Sequence, residues 1–179
     1  MPEDSIVIEE YLNSYLPQLI EKRLAEKTVP DMEGTSFGMQ LCVEGDKSLV
    51  YGITIEDARR ITVTPGGIDN PIFTMRISED AIKPLVDFVS SFISRKQYDA
   101  VTGTKGRLDL KIGMPGDWTL PVTMVFNGAE APQMSLSGPS ADLMKIVTGE
   151  VNAPSAFMQG KIKLDGDLTF GLSLANLFV

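Results

Sequence analysis

Short runs with an apolar side chain at every second position recur along this sequence, and they restrict it to a protein built around a β-sheet. Phe37, Met39, Leu41 and Val43 point one way, while Gly38, Gln40 and Cys42 point the other. Glu44-Gly45-Asp46-Lys47 turns the chain, and Leu49, Tyr51, Ile53 and Ile55 repeat the alternation as the second arm of a hairpin. Ile61 and Val63 begin a short strand that stops at Pro65-Gly66-Gly67, and Phe73, Met75 and Ile77 form the next. Leu108, Leu110 and Ile112 alternate with Arg107, Asp109 and Lys111, turn at Pro115-Gly116, and return through Val122, Met124 and Phe126 to Asn127-Gly128. Met134 and Leu136 mark a further strand. Near the end, Ile162 and Leu164 alternate with Lys161 and Lys163. There Asp165-Gly166 reads as a hairpin turn, with Leu168, Phe170, Leu172 and Leu174 as the returning strand.

Helical spacing is confined to a few stretches. Ile8, Leu12, Tyr15, Leu16, Leu19 and Leu24 recur at helical intervals over 5–28, with a kink or a second helix expected at Pro17. Ser78-Glu79-Asp80 has the composition of a helix start, a hydroxyl followed by acids in the dipole-positive first turn. Ile82, Leu85, Val86, Val89, Phe92 and Ile93 would be its buried stripe, bent at Pro84, with Gly103 to Gly106 a flexible connection. A further helix runs from about Pro139 to Thr148 and is stopped by Gly149. The approach to Ser78 (Asn70-Pro71-Ile72-Phe73-Thr74-Met75) echoes the approach to Ser140 (Ala131-Pro132-Gln133-Met134-Ser135-Leu136), which suggests a partly duplicated strand-strand-strand-helix unit.

Composition removes several functions. Histidine is absent, and with it the commonest general base near neutral pH, His-dependent triads and His metal sites. The single Cys42 forms neither an internal disulfide nor a thiolate zinc site and reads as an inert strand thiol. The net charge is −8 and the Lys and Arg residues are dispersed, against a nucleic-acid surface. The same acidity argues against strong residence on anionic membranes, while leaving brief bilayer contact and a homodimer open. No apolar run approaches the roughly 20 residues that span a bilayer, and the opening Met1-Pro2-Glu3-Asp4 is acidic where a secretory signal is basic. The expectation is a cytoplasmic protein with no metal or other cofactor. Asp165-Gly166-Asp167 lacks the other acidic ligands of a calcium loop. Asp142 and Glu150 are the acids closest to a catalytic reading, and neither has a second group at a diagnostic spacing, so no catalytic residue is assigned.

The stretch from Ala156 to Leu168 (Ala-Phe-Met-Gln-Gly-Lys-Ile-Lys-Leu-Asp-Gly-Asp-Leu) resembles the closing signature of the sterol carrier protein (sterol transfer) family. In that family a phenylalanine-containing segment ends a helix, Gly-Lys opens a strand and Gly-Asp reverses it. Leu172-Ser173-Leu174-Ala175-Asn176-Leu177-Phe178 is similar to the family's terminal helix; Asp117-Trp118-Thr119-Leu120 and the Met134 strand leading to the Ser140 helix follow in the expected order. The likeness is specific over 139–179, extends to 105–179, and is faint over 1–98. It implies an α/β (α+β) fold, a curved and mostly antiparallel sheet with helices covering one face, here enlarged by extra N-terminal strands. The whole chain, 1–179, would be one such domain: 1–98 a degenerate first unit with the N-terminal helix, 105–179 the better match.

The resemblance also implies a non-catalytic lipid-binding or lipid-transport protein that holds a fatty acid, acyl-CoA, phospholipid or sterol-like ligand in a hydrophobic cavity. The alternative is an accessory or interaction subunit whose cavity has collapsed. On the family's geometry the lining would be Met124, Phe126, Met134, Leu136, Phe157, Met158, Ile162, Leu164, Phe170 and Leu172, with Leu174, Leu177 and Phe178 as a lid at the mouth. Met39, Met75, Met124 and Met134, all on the apolar sides of their strands, add thioethers that adapt to ligands of varied shape. Trp118, beyond Pro115-Gly116, is expected to pack against the sheet rather than touch a membrane.

Overall fold

The computed structural model describes residues 8–82 and 94–175. Its centre is an open, mixed sheet of eight strands in the order β3-β2-β1-β4-β6-β5-β7-β8. The strands are β1 (Ser36–Glu44), β2 (Leu49–Glu56), β3 (Arg60–Pro65), β4 (Phe73–Ser78), β5 (Gly106–Met114), β6 (Trp118–Phe126), β7 (Gln133–Pro139) and β8 (Lys163–Gly166). Neighbours are antiparallel except for β1 with β4 and β5 with β7. The two halves follow one path: a hairpin, β1–β2 or β5–β6, is followed by a strand lying parallel beside the hairpin's first strand. The halves join through antiparallel β4 and β6, so a single sheet runs through both.

Register puts the alternating apolar residues on one continuous side. One row runs Tyr51–Leu41–Met75–Met124–Leu108–Met134–Gly166 from β2 to β8. Its neighbours run Ile53–Met39–Phe73–Phe126–Gly106 and Val43–Ile77–Val122–Leu110–Leu136–Leu164. Helices lie over this side. Residues 8–26 are helical without a break: a π-helical turn (Tyr11–Tyr15), in which the Leu16 N–H donates to the Tyr11 carbonyl, leads into α1 (Leu16–Glu26), and Pro17 with its missing N–H follows at that junction. Leu12, Leu16, Ile20 and Leu24, four apart, are its buried stripe, whereas Tyr15 stands 55% exposed and is not part of it. Of the helix expected after Ser78, the described part is a 3-10 turn (Glu79–Ala81) followed by buried Ile82, and Ser78 makes no side-chain cap. Leu85, Val86, Val89, Phe92 and Ile93 lie outside the described residues.

Beyond them, α2 (Arg95–Gly103) forms on residues to which the sequence assigns no element and ends where the expected Gly103–Gly106 connection begins. It buries no residue completely, so it has no apolar stripe to announce it. Its signals are the Ser94 hydroxyl, which accepts the Gln97 N–H at 3.2 Å, and the Arg95–Asp99 ion pair one turn apart. Asn127, at the end of β6, fixes the far end of α2 by donating its side-chain amide to the carbonyls of Val101, Thr102 and Thr104.

In the last third, α3 (Ser140–Val147) and α4 (Ala153–Met158) form a second apolar cluster of Leu143, Ile146, Ala156 and Ile162 over Ile112, Leu136 and Leu164. The expected closing hairpin is replaced by a short strand and a helix. β8 is only four residues long, and Leu168–Ala175 is helical (α5). The alternation of Leu168, Phe170, Leu172 and Leu174 misleads because the set also contains two i, i+4 pairs. Phe170 and Leu174 are buried together at 5% and 2%, whereas Leu168 and Leu172 face outward. Asp167 sets the switch: its carboxylate accepts the Phe170 N–H at 2.9 Å as a helix cap, while its own N–H donates to the Gln133 carbonyl at 2.9 Å.

Candidate functional site

The helix-covered side of the sheet is the candidate site, and its chemistry is set by what it lacks. Among the described residues the one buried polar side chain is Thr35, whose hydroxyl donates to the Met32 carbonyl at 2.6 Å. Among the described residues no buried side-chain nitrogen or oxygen is left without a partner. The middle of the face is lined by long, flexible and aromatic groups: Met39, Met75, Met124 and Met134 are all buried, and Phe73 stacks between Phe37 and Phe126 with ring centroids 6.5 and 5.3 Å away. Such a surface offers dispersion and water exclusion.

The sequence-derived lining residues divide into three sets. Met124, Phe126, Met134, Phe170 and Leu174 are buried in the main cluster; Leu136 and Leu164 bridge to the second cluster, where Ile162 is buried. Phe157 (44%), Met158 (86%) and Leu172 (63%) stand instead at the surface, on the outer sides of α4 and α5. α4 turns inward the small Ala156, and the i, i+4 pairing of α5 turns Leu172 away from the sheet. Leu177 and Phe178 lie outside the described residues. Leu174, expected at the mouth, is fixed in the core. The lining drawn from the family likeness leaves out Leu41, Phe73 and Leu108, which lie in the same rows as Met124 and Phe126. Their alternation is equally plain; Leu41 and Phe73 fall in 1–98, where the family likeness is faint.

The opposite side of the sheet is polar. Arg107 donates to Asp109 (3.1 Å) and to Glu130 (3.0 Å), and Arg76 also donates to Glu130 (2.9 Å). Asp109 further accepts from Thr123 (2.9 Å) and Gln133 (2.7 Å), so the network ties β4, β5, β6 and β7 together. Burial alone would raise the Asp109 carboxyl, but the hydrogen bonds from Arg107, Thr123 and Gln133 outweigh it and hold it below the ordinary range. Hydrogen bonds from Arg76 and Arg107 lower Glu130 likewise. A carboxyl lowered in the folded state adds stability above its unfolded pKa of about 4 and loses that stability as pH falls through the lower folded value. Urea unfolding should therefore show stability falling below about pH 4, with a shallower fall for Asp109→Asn combined with Glu130→Gln. An equally steep acid limb in that variant would remove the network from the account.

Other candidates gain no chemistry from the structure. Among the described residues no group of His, Cys, Asp or Glu is placed to hold a metal ion. Cys42 is a free, half-buried thiol on β1. No helix among the described residues is long and apolar enough to cross a membrane.

The fold and face define an α/β protein with helices laid over the apolar side of an open, mostly antiparallel sheet. The chain belongs to the SCP-2 sterol transfer family, whose model matches residues 89–179. Solved structures to which the chain is similar include sterol carrier protein 2 from Yarrowia lipolytica in its apo form (11% identity, 96% of this chain and 84% of that one, TM-score 0.25). Palmitated sterol carrier protein 2-like 2 from Aedes aegypti matches at 13% identity over 91% and 90% of the chains, TM-score 0.28. The sterol carrier protein domain 2 of Helicoverpa armigera matches at 16% identity over 94% and 87%, TM-score 0.27. Superposition on these structures is loose, and family membership rests on the sequence match. Against curated proteins the sequence has no match.

Proposed function

We propose that this protein binds a single long-chain lipid (a fatty acid, acyl-CoA, phospholipid or sterol-like molecule) against the apolar side of its sheet and carries it without chemical change. Its family is one of lipid binding and transfer, and its members are in general not catalysts. The observation that carries the reading is the methionine-rich row from Leu41 through Met75, Met124 and Leu108 to Met134, lying under helices. An acyl chain has no hydrogen bonds to offer, so it needs an interior whose polar groups are already satisfied. Thioethers and aromatic rims fit chains of different shape at little cost in strain. Met75, Met124, Phe126, Met134, Phe170 and Leu174 form the proposed lining; Phe157, Met158 and Leu172 are left out because they are exposed.

The expected strength follows from area. Each buried methylene contributes roughly 0.8 kcal/mol, so a chain of about sixteen carbons gains on the order of 10 kcal/mol before association costs of similar size are met. Affinities near micromolar are expected. The test is mass spectrometry of lipid extracted from native protein, followed by titration of stripped protein with a fluorescent fatty acid and displacement by natural lipids. Protein that carries no lipid and takes up no long-chain ligand after stripping would overturn the proposal.

A further inference from the structure

The methionines of this chain fall into two environments. Met39, Met75, Met124 and Met134 occupy apolar positions on β1, β4, β6 and β7 and are 7%, 2%, 7% and 3% exposed. Met144 on α3 and Met158 at the end of α4 are 42% and 86% exposed. Strand interiors favour β-branched and aromatic side chains, and flexible thioethers specify packing poorly, so strand packing alone gives no reason for the buried four. Register joins them. Met75 and Met124 are direct partners across β4 and β6, a position that sets opposed Cβ atoms about 4.5–5.5 Å apart. Leu108 separates Met124 from Met134, and Met39 lies opposite Phe73 in the next row. Gly171 of α5 lies directly against the Met134 sulfur, which leaves Met75 and Met124 as the central pair. The single thiol is elsewhere: Cys42 shares a row with Arg76 and Thr123 on the polar side of the sheet.

We infer that this pair is a trap for peroxidised lipid: a long-chain lipid hydroperoxide held on the apolar face is reduced to its alcohol by Met75 or Met124, which becomes the sulfoxide. The thioether sulfur attacks the terminal peroxide oxygen. An S–O bond forms, the O–O bond breaks, and its electron pair goes to the oxygen on the lipid carbon, which takes the proton of the transferred hydroxyl. The sulfide loses two electrons and the peroxide gains two, so no further reductant is consumed. Each sulfur acts once, and the reaction is stoichiometric. The inference rests on the lipid-carrier reading and extends it, since an intact acyl chain offers these sulfurs no electrophile and is carried unchanged. Holding the hydroperoxyl group beside two adjacent sulfurs replaces a slow bimolecular encounter with a reaction inside one complex. An oxidant in bulk water meets Met158 and Met144 first; a bound lipid hydroperoxide meets the buried pair first.

That inversion of order is the test. Stripped protein is loaded with linoleic acid hydroperoxide, with catalase present to remove hydrogen peroxide. Peptide mass spectrometry then locates sulfoxide while chromatography counts hydroxy acid. One hydroxy acid should form per sulfoxide, at Met75 or Met124, about tenfold or more ahead of Met158. Hydrogen peroxide without lipid or catalase should give the opposite order. Met75→Leu with Met124→Leu nearly conserves volume, and it should cut the hydroxy acid formed per bound hydroperoxide about tenfold. Bound hydroperoxide that leaves Met75 and Met124 as thioethers overturns the inference while the carrier reading stands. Sulfoxide arising first at Met158, or an undiminished yield in the double variant, does the same. Protein that takes up neither linoleic acid nor its hydroperoxide removes the carrier reading, and this inference with it.

Discussion

Replacing Gly166 by alanine is expected to destabilise the protein by about 2–5 kcal/mol. Gly166 has φ of 106°, a conformation that an L side chain rarely adopts. A Cβ there would lie 2.5 Å from the Gln133 carbonyl oxygen and 3.1 Å from the Met134 Cα, both backbone atoms of β7 that cannot rotate away. The same Gln133 carbonyl accepts the Asp167 N–H that starts α5, so relieving the clash loosens the strand–helix junction and the Phe170–Leu174 anchor beyond it. Gly128→Ala is the control: its φ is 67° and nothing lies within 4 Å of a Cβ, so only the left-handed strain of about 1–2 kcal/mol applies. Urea midpoints of the two variants measure the difference, and equal losses would show that close approach at Gly166 contributes nothing.

Phe126→Ala is expected to lower stability by about 3–5 kcal/mol. Its ring is 2% exposed and tilted against Phe73 at 5.3 Å, and its strand position lies between Phe73 and Gly106. Removal strips contacts from the place where the two halves of the sheet meet. A bound lipid returns stability in proportion to ln(1 + [L]/Kd), so unfolding measured on stripped and on loaded protein separates packing from ligand. A loss below about 1 kcal/mol in stripped protein would be too small for a close-packed ring, and the aromatic trio would then not be a structural anchor.

Much of this architecture could be read locally because a strand with one buried side records its state in its own sequence. The alternations at Phe37–Val43, Phe73–Ile77 and Leu108–Ile112 each became strands, and Pro115-Gly116 became the turn between β5 and β6. The helix from Ser140, stopped by Gly149 with φ of 76°, is of the same kind. At Leu168–Leu174 the two periods coincide: a residue two positions away is across a strand, and one four positions away is on the same side of a helix. Local pattern gives no preference there. The family likeness had already placed a terminal helix in 172–178, and the structure starts α5 four residues earlier, at the Asp167 cap.

The candidate site was legible as a property and only partly as a location. Met124, Phe126 and Met134 are in the buried face as their spacing indicates, and Phe170 and Leu174 join them through the i, i+4 pairing of α5, which sets Leu174 in the core and not at a mouth. Phe157 and Met158 have the same chemistry but end outside, because α4 is a short helix that seats the small Ala156 against Ile162. Hydrophobicity fixes the free energy of leaving water; it does not specify which partner takes water's place.

By itself the sequence determined the strands, their apolar side, the acidic and histidine-free chemistry, and the family. Those are properties of single residues and of spacings within one element, where backbone geometry enforces the period. The tertiary structure alone decided that β4 meets β6, that Leu41 and Met75 share a row with Met124 and Met134, that α5 replaces a strand, and that Phe157, Met158 and Leu172 face outward. Each depends on which surfaces meet across long sequence separations, and such a choice is made by the packing of the whole chain.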